Sequence, residues 1–399
     1  MDRIVCLKNP VQPYAWGSRT AIQTLLGQPV PSDTPAAELW LGAHPQAPSQ
    51  VLIKGAWTPL DRVIEDDPVS ILGRRVVEAY GNRLPFLLKV LAAERPLSIQ
   101  VHPHSRQARE GFDRENRLGI PLHAPERNYK DPWHKPECLC ALTRFEALKG
   151  FRPIEEIADF MDRLPLSPLS DALEALVQRP DPSGLKRFFS MLMGMGSEKS
   201  AAVADAAVRY AAAEVTKRPE AYWVAELARE YPKDVGVLAP LMFNLIELEP
   251  GEAIYIPPGE LHAYLHGVGV EVMASSDNVL RGGLTPKHVD VGELLKVVDF
   301  APVPVQPVDI WKGRSGERAY RTPAAEFRLS RLSIAPDMPF AGFEDRNVEI
   351  LLCMEGEATL TDVARSESVF IQKGTSVLVP SSVPRYEIQG SAALYKATV

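Results

Sequence analysis

Four side chains in this 399-residue sequence, Gln100, His102, Glu137 and His262, have the types and surroundings of ligands to a metal ion. In the run RPLSIQVHP, Ser98, Gln100 and His102 alternate with Leu97, Ile99 and Val101, and an extended chain puts the first three on one face. Glu137 closes YKDPWHKPE, and His262 follows the Pro-Pro-Gly turn of EPGEAIYIPPGELHAY, so the other two arrive from distant stretches. Two imidazoles, an amide and one carboxylate form an N/O set without thiolate, which suits Zn²⁺ or a similar divalent ion. Such a site keeps a formal charge of about +1, and with it Lewis acidity toward substrate oxygens. For Gln100 and His102 alone, a polar-faced strand with core histidines is the better account. The amide is chemically the weakest of the four ligands.

Three stretches of different texture must position these residues. Up to about Gly150 the chain is rich in Pro and Gly, with alternating runs such as PSQVLIKG and PFLLKVL. These predict strands joined by turns and argue against long helices. From Phe151 the segments IEEIADFMDRL, LSDALEALVQ, AAVADAAVRYAAAEV and AYWVAELAREY carry apolar residues at helical spacing. Candidate ligands lie on both sides of this stretch, so it reads as a helical insertion in a β domain. Strand-like runs then return, and EPGEAIYIPPG is echoed by QKGTSVLVPSS at an offset of 123 residues. A turn, an alternating strand and a Pro-containing turn form a recurring half-unit of double-sheet jelly rolls, the cupin architecture. The same offset carries His262 to Arg385, so the second copy is expected to lack a metal. The expected strands of that copy are NVEILLCMEG, EATLTD, ESVFIQ and SAALYKATV. The predicted fold is mainly β: two cupin-like jelly-roll barrels plus an α-helical domain. Its parts are a catalytic cupin-like domain in two pieces (1–150 and 241–313), the helical insertion (151–240) and a metal-free C-terminal barrel (314–399).

The wording around the ligands resembles the type I phosphomannose isomerases. The matching stretches are PYAWGS from Pro13, ELWLGAHP from Glu38, LPFLLKVLAAERPLSIQVHP from Leu84, NYKDPWHKPE from Asn128, PPGELHAYL from Pro257 and SSDNVLRGGLTPKHVD from Ser275. The resemblance implies interconversion of mannose 6-phosphate and fructose 6-phosphate through a cis-enediol, with one Zn²⁺ per chain on Gln100, His102, Glu137 and His262. It places the catalytic arginine at Arg281, where two following glycines permit close backbone approach. One residue departs from the pattern: Trp133 stands where a small polar residue is expected before His-Lys-Pro-Glu, so the local rim is expected to differ.

The reaction needs a proton carrier near both carbons, and three residues compete for that role. Glu271 in VGVEVMA faces opposite Val270 and Val272; a structural acid paired with a lysine is an equal reading of it. Lys135 is a base if its pKa is depressed, and otherwise a phosphate or hydroxyl contact. His134 is a partner of the ligands or a proton carrier. Phosphate recognition is expected from Lys89, Ser98 and Lys287, since a dianion needs charge and directed donors. Trp16 and Tyr264 are expected cavity walls, or core aromatics. His44, His104, His123, His266 and His288 read as packing or surface residues, His104 being turned away after Pro103 interrupts the strand.

Composition narrows the classes. A net charge of −7 argues against general nucleic-acid or anionic-membrane binding. Yet Lys89, Lys130, Lys135, Arg281 and Lys287 gather in the matching segments, as a hexose phosphate requires. Neither a phosphate-cradling Gly-Lys-Ser/Thr loop nor a strand-linked G-x-G-x-x-G is present, so nothing points to a nucleotide. The start of the chain lacks an apolar signal core, and no run is long enough to span a bilayer. The four cysteines, Cys6, Cys138, Cys140 and Cys353, lack the density of a disulfide scaffold, so a cytoplasmic protein is expected, with a monomer favoured. Cys138 and Cys140 fall opposite Glu137 and read as core thiols. The remaining alternatives are a cupin isomerase or epimerase on another sugar phosphate, a metal-dependent cupin oxygenase, and a non-catalytic sugar-phosphate sensor. Gln100 as a fourth ligand disfavours the oxygenase, and the chain offers no signalling domain for a sensor.

Overall fold

A computed structural model describes residues 1–164, 169–313 and 315–399; the expected domain boundary at 314 falls outside them. The architecture is mainly β with helices, and its strands gather into two sheets whose ladders, among the described residues, are antiparallel. The sheet carrying the candidate ligands is centred on the long His262–Ala274 strand. This strand pairs with Phe86–Ala93, Glu137–Ala141, Phe145–Phe151 and the short Gln100–Val101 strand. The second sheet is centred on Glu349–Asp362 and Tyr386–Thr398.

The alternating run from Leu97 to His102 becomes a ladder strand only at Gln100–Val101. Its flanks stay extended through bonds to loops: Leu97 N–H donates to Tyr264 O, Ile99 N–H to Gly283 O, and Gly282 N–H to Ile99 O. Ile99 and Val101 face away from the ligands and join the apolar core of the helical segment with Phe189 and Leu238. Burial of their side chains, about 1.5–3 kcal/mol each, fixes which face Gln100 and His102 present.

The helical segment closes on itself. Phe151 and Phe243, which flank it, are direct partners in an antiparallel strand pair, so residues 152–242 leave and re-enter the sheet at one point. Arg152 pins this base by donating to Phe243 O and Pro240 O, both at 3.1 Å. The expected helices appear as Ile154–Asp162, Ser170–Gln178, Ser197–Glu214 and Pro219–Glu230. A further helix, Pro182–Met193, was not in that reading; it starts with Pro182 behind an Asp181 carboxylate that accepts from Gly184 N–H at 2.8 Å.

Two features differ from the sequence expectation. A 13-residue helix, Ser105–Arg117, occupies the stretch expected to lack long helices. His104 N–H is satisfied by the Gln107 side chain at 2.9 Å, and Gly111 lies flat against the Tyr129 ring, so local capping and one close contact outweigh the surrounding Pro and Gly. The second feature is non-local. The strand Val5–Lys8 pairs with Ser376–Val379 and with Gln50–Ile53, so the start of the chain extends the C-terminal sheet instead of the ligand-bearing one. One apolar cluster, including Leu7, Leu88, Val272, Ile350 and Tyr395, spans both sheets and packs them together. Among the described residues, no helix is long and apolar enough to cross a membrane.

Candidate metal centre and active site

His102, Glu137 and His262 converge with their ligand atoms within 4.8 Å of one another, all three side chains buried. His102 Nε2 lies 3.2 Å from Glu137 Oε1, and His262 Nε2 lies 3.4 Å from Glu137 Oε2. Each ring is oriented from its other nitrogen: His102 Nδ1–H donates to Asn278 O at 2.7 Å and His262 Nδ1–H to Glu260 O at 3.1 Å. Carbonyls only accept, so in the neutral imidazoles, the form that binds a metal, both Nε2 atoms present lone pairs toward the carboxylate. Three acceptors thus face one another with no hydrogen between them, and His102 Nε2 is a buried atom without a hydrogen-bond partner. This arrangement fits a cation held among them. Gln100, directly opposite His262 in the ladder, lines the same cavity.

The electrostatics favour the ligand forms. Burial, and then the Lys135 ammonium, lower the His102 pKa to about 4 and keep its imidazole neutral. Burial would raise the Glu137 carboxyl, but the Lys135 ammonium outweighs it and holds Glu137 well below the usual carboxylate range. Lys135 Nζ sits 2.8 Å from Glu137 Oε1.

Deeper in the cavity lies a second charged group. Lys89 is buried between Glu38 and Glu271, 3.4 Å from an oxygen of each. Tyr264 OH donates to the other Glu271 oxygen at 2.8 Å, and Trp40 Nε1–H donates to Glu38 at 2.7 Å. Burial and the charge of Glu137 raise the Glu271 pKa. Lys89, although buried, is kept strongly cationic by Glu38 and Glu271.

The remaining expected residues are distributed around this core. Arg281 stands one strand from Gln100, as its direct ladder partner, and is half-buried. Partial burial, and then the charges of Arg281 and Lys130, lower the Lys287 pKa. Ser98 is half-buried two residues before Gln100. Trp16 packs on the cluster that contains Tyr264 and Leu97. His134 is not brought into the cavity: its Nε2 is 2.6 Å from Glu326 Oε1, a residue of the C-terminal part. His104 is exposed at the head of its helix, away from the ligand cluster. Cys138 and Cys140 lie in the apolar core. Trp133 stacks beneath Arg83, whose guanidinium carbon is 4.3 Å from the ring centroid.

Two residues of the site went unassigned in the sequence reading. Glu38 shares alternation with Trp40 in ELWLG, which was the available signal. Asn278 is fully buried and organises both ligand segments. Its backbone carbonyl holds His102, its Nδ2–H donates to Asp131 O and Trp133 O at 2.7 and 2.8 Å, and its Oδ1 accepts from Lys130 N–H at 2.7 Å.

Comparison with known proteins agrees with this geometry. The type I phosphomannose isomerase catalytic domain matches residues 4–154, and the mannose-6-phosphate isomerase cupin domain matches residues 322–399. Mannose-6-phosphate isomerase of Escherichia coli is 40% identical over 392 residues, 97% of each chain. A crystal structure of zinc-bound mannose 6-phosphate isomerase superposes with a TM-score of 0.91 at 36% identity over 99% of both chains. The Salmonella typhimurium enzyme solved with its substrate fructose 6-phosphate and zinc gives the same TM-score, identity and coverage.

Proposed function

Since the chain belongs to the type I phosphomannose isomerase family and is a mannose-6-phosphate isomerase, we propose how its residues carry out the interconversion with fructose 6-phosphate. The observation that carries the proposal is the convergence of two bare imidazole lone pairs on one buried carboxylate, beside a second buried carboxyl that can hold a proton. Gln100, His102, Glu137 and His262 would hold Zn²⁺, which when bound supplies Lewis acidity to the C1 and C2 oxygens.

Proton transfer between C1 and C2 through a cis-enediol is assigned to Glu271. Its raised pKa suits a group that takes and returns a proton, and Lys89 and Tyr264 fix its position. Lys89 is committed to Glu38 and Glu271 and serves as their buried counter-charge, not as a phosphate contact. Lys135 offsets the charge of Glu137 and offers donors to substrate hydroxyls. Engagement of His134 by Glu326 takes it out of the competition for the base. Arg281, whose pKa burial lowers from the usual guanidinium value, stabilises the enediolate charge. Lys287, Lys130 and Ser98 receive the phosphate at the rim, and Tyr264 and Trp16 wall the cavity. In the same reading the two sheets are cupin-like jelly-roll units, with the metal confined to the first.

The test is turnover of mannose 6-phosphate in D₂O by the zinc-loaded chain. Deuterium should enter the transferred position of the sugar, and Glu271→Gln should abolish both exchange and net turnover while zinc stays bound. Full exchange in Glu271→Gln would assign the proton to Lys135 instead.

A further inference from the structure

The strand registers make the sequence repeat specific at the level of single side chains. Ile256 is the partner of Glu137, and its repeat mate Val379 is the partner of Glu349. On the next strand, Glu271 lies opposite Leu139, two residues past Glu137; Lys396 lies opposite Leu351, two residues past Glu349. Glu271 then faces Lys89, as Lys396 faces Ser330. One strand further, Glu38 pairs two residues past Lys89, and Glu317 pairs two residues past Ser330. The buried charged residues Glu137, Glu271, Lys89 and Glu38 therefore have counterparts Glu349, Lys396, Ser330 and Glu317.

Two of the three acids have acidic counterparts, and a lysine stands where the third, Glu271, would be. Lys396 Nζ sits 3.0 Å from Glu317 Oε1 and 3.5 Å from Glu349 Oε1, bridging the counterpart of Glu38 and the counterpart of the metal-site carboxylate. All three side chains are at most 2% exposed. The counterpart of His262, Arg385, bonds Glu387 at the surface. Ser330 Oγ is a buried atom without a hydrogen-bond partner, and the buried Arg346 guanidinium lies 3.8 Å from Glu349 Oε2, on the side away from Lys396. We infer that the C-terminal unit is a copy of the catalytic cavity in which the tethered ammonium of Lys396 replaces the metal ion, leaving a latent cation site that opens when the amine is removed. With the amine removed, the Glu317 and Glu349 oxygens that face Lys396 and the Ser330 hydroxyl offer oxygen only, the donor class of a hard dication such as Mn²⁺, Mg²⁺ or Ca²⁺, while Arg346 stays on the other Glu349 oxygen. The inference stands on register and burial, whatever the first cavity turns over.

The experiment uses the full-length, zinc-loaded chain, whose catalytic site prefers Zn²⁺ to Mn²⁺. Mn²⁺ is titrated into the parent, Lys396→Met, and Lys396→Met combined with Glu317→Gln and Glu349→Gln, with binding read by electron paramagnetic resonance and stability by thermal unfolding. The parent should bind no tight Mn²⁺. Lys396→Met should melt below the parent, bind one Mn²⁺ per chain and recover much of the lost melting temperature on binding. The triple variant should bind none. Should Lys396→Met not fold alone, refolding from denaturant should succeed only with Mn²⁺. Failure of Mn²⁺ to bind or rescue Lys396→Met, or equal binding by the triple variant, would overturn the inference.

Discussion

Arg281 and Lys287 carry like charge near one another, yet the proposed chemistry gives them separable tasks. Arg281 acts on charge that develops only in the transition state, so Arg281→Ala should lower kcat and kcat/KM together by about 3 kcal/mol. Lys287→Ala removes a contact made in ground and transition states alike and should mainly raise KM; steady-state kinetics on both variants reads the difference. Asn278 acts through others. Asn278→Asp would turn carboxylate oxygens toward the carbonyls of Asp131 and Trp133 and displace the acceptor of His102. Zinc affinity, measured by chelator competition, should fall about 10–100-fold. The proposed ligands stood out in the sequence because two of them are among only eight histidines and all four lie in stretches that resemble one family's motifs. Asn278 and Glu260 orient the rings through backbone carbonyls, which every residue has, so their positioning role leaves no mark in residue type.

Among the elements, the insertion separates ligands that must act as one. Glu137 precedes it and His262 follows it, so either Glu137→Gln or His262→Ala should abolish stoichiometric zinc and activity together. His104→Ala removes only the residue heading the Ser105–Arg117 helix and should keep both; metal analysis of the three variants decides. The helix itself is tested at Gly111. A Cβ there would meet Tyr129 ring atoms at 2.5 Å, well inside contact distance. Gly111→Ala should therefore destabilise the protein by about 1–3 kcal/mol despite its better helix propensity, as chemical denaturation would show. Helices of the insertion were readable because apolar residues recur at helical spacing over long windows. The Ser105–Arg117 helix is mostly polar and charged, with a small buried face around Ala108 and Gly111, so no apolar stripe announced it.

Across the whole molecule, the two sheets share a continuous core, and the first strand of the chain completes the C-terminal sheet. That pairing joins residues more than 360 positions apart. Local pattern identifies a strand but not a partner at such separation, so the crossing of the expected domain division was not readable. The His134–Glu326 pair adds a polar tie between the active-site loop and the C-terminal part. Against this background, the central claim is that one buried N/O metal centre drives the isomerisation. The direct measurement is activity against bound zinc: the chain is stripped with a chelator, reloaded with measured increments of Zn²⁺ and given mannose 6-phosphate. Fructose 6-phosphate formation should rise in proportion to bound zinc and level off at one ion per chain; undiminished turnover by the stripped chain, or none by the zinc-filled chain, would contradict the account.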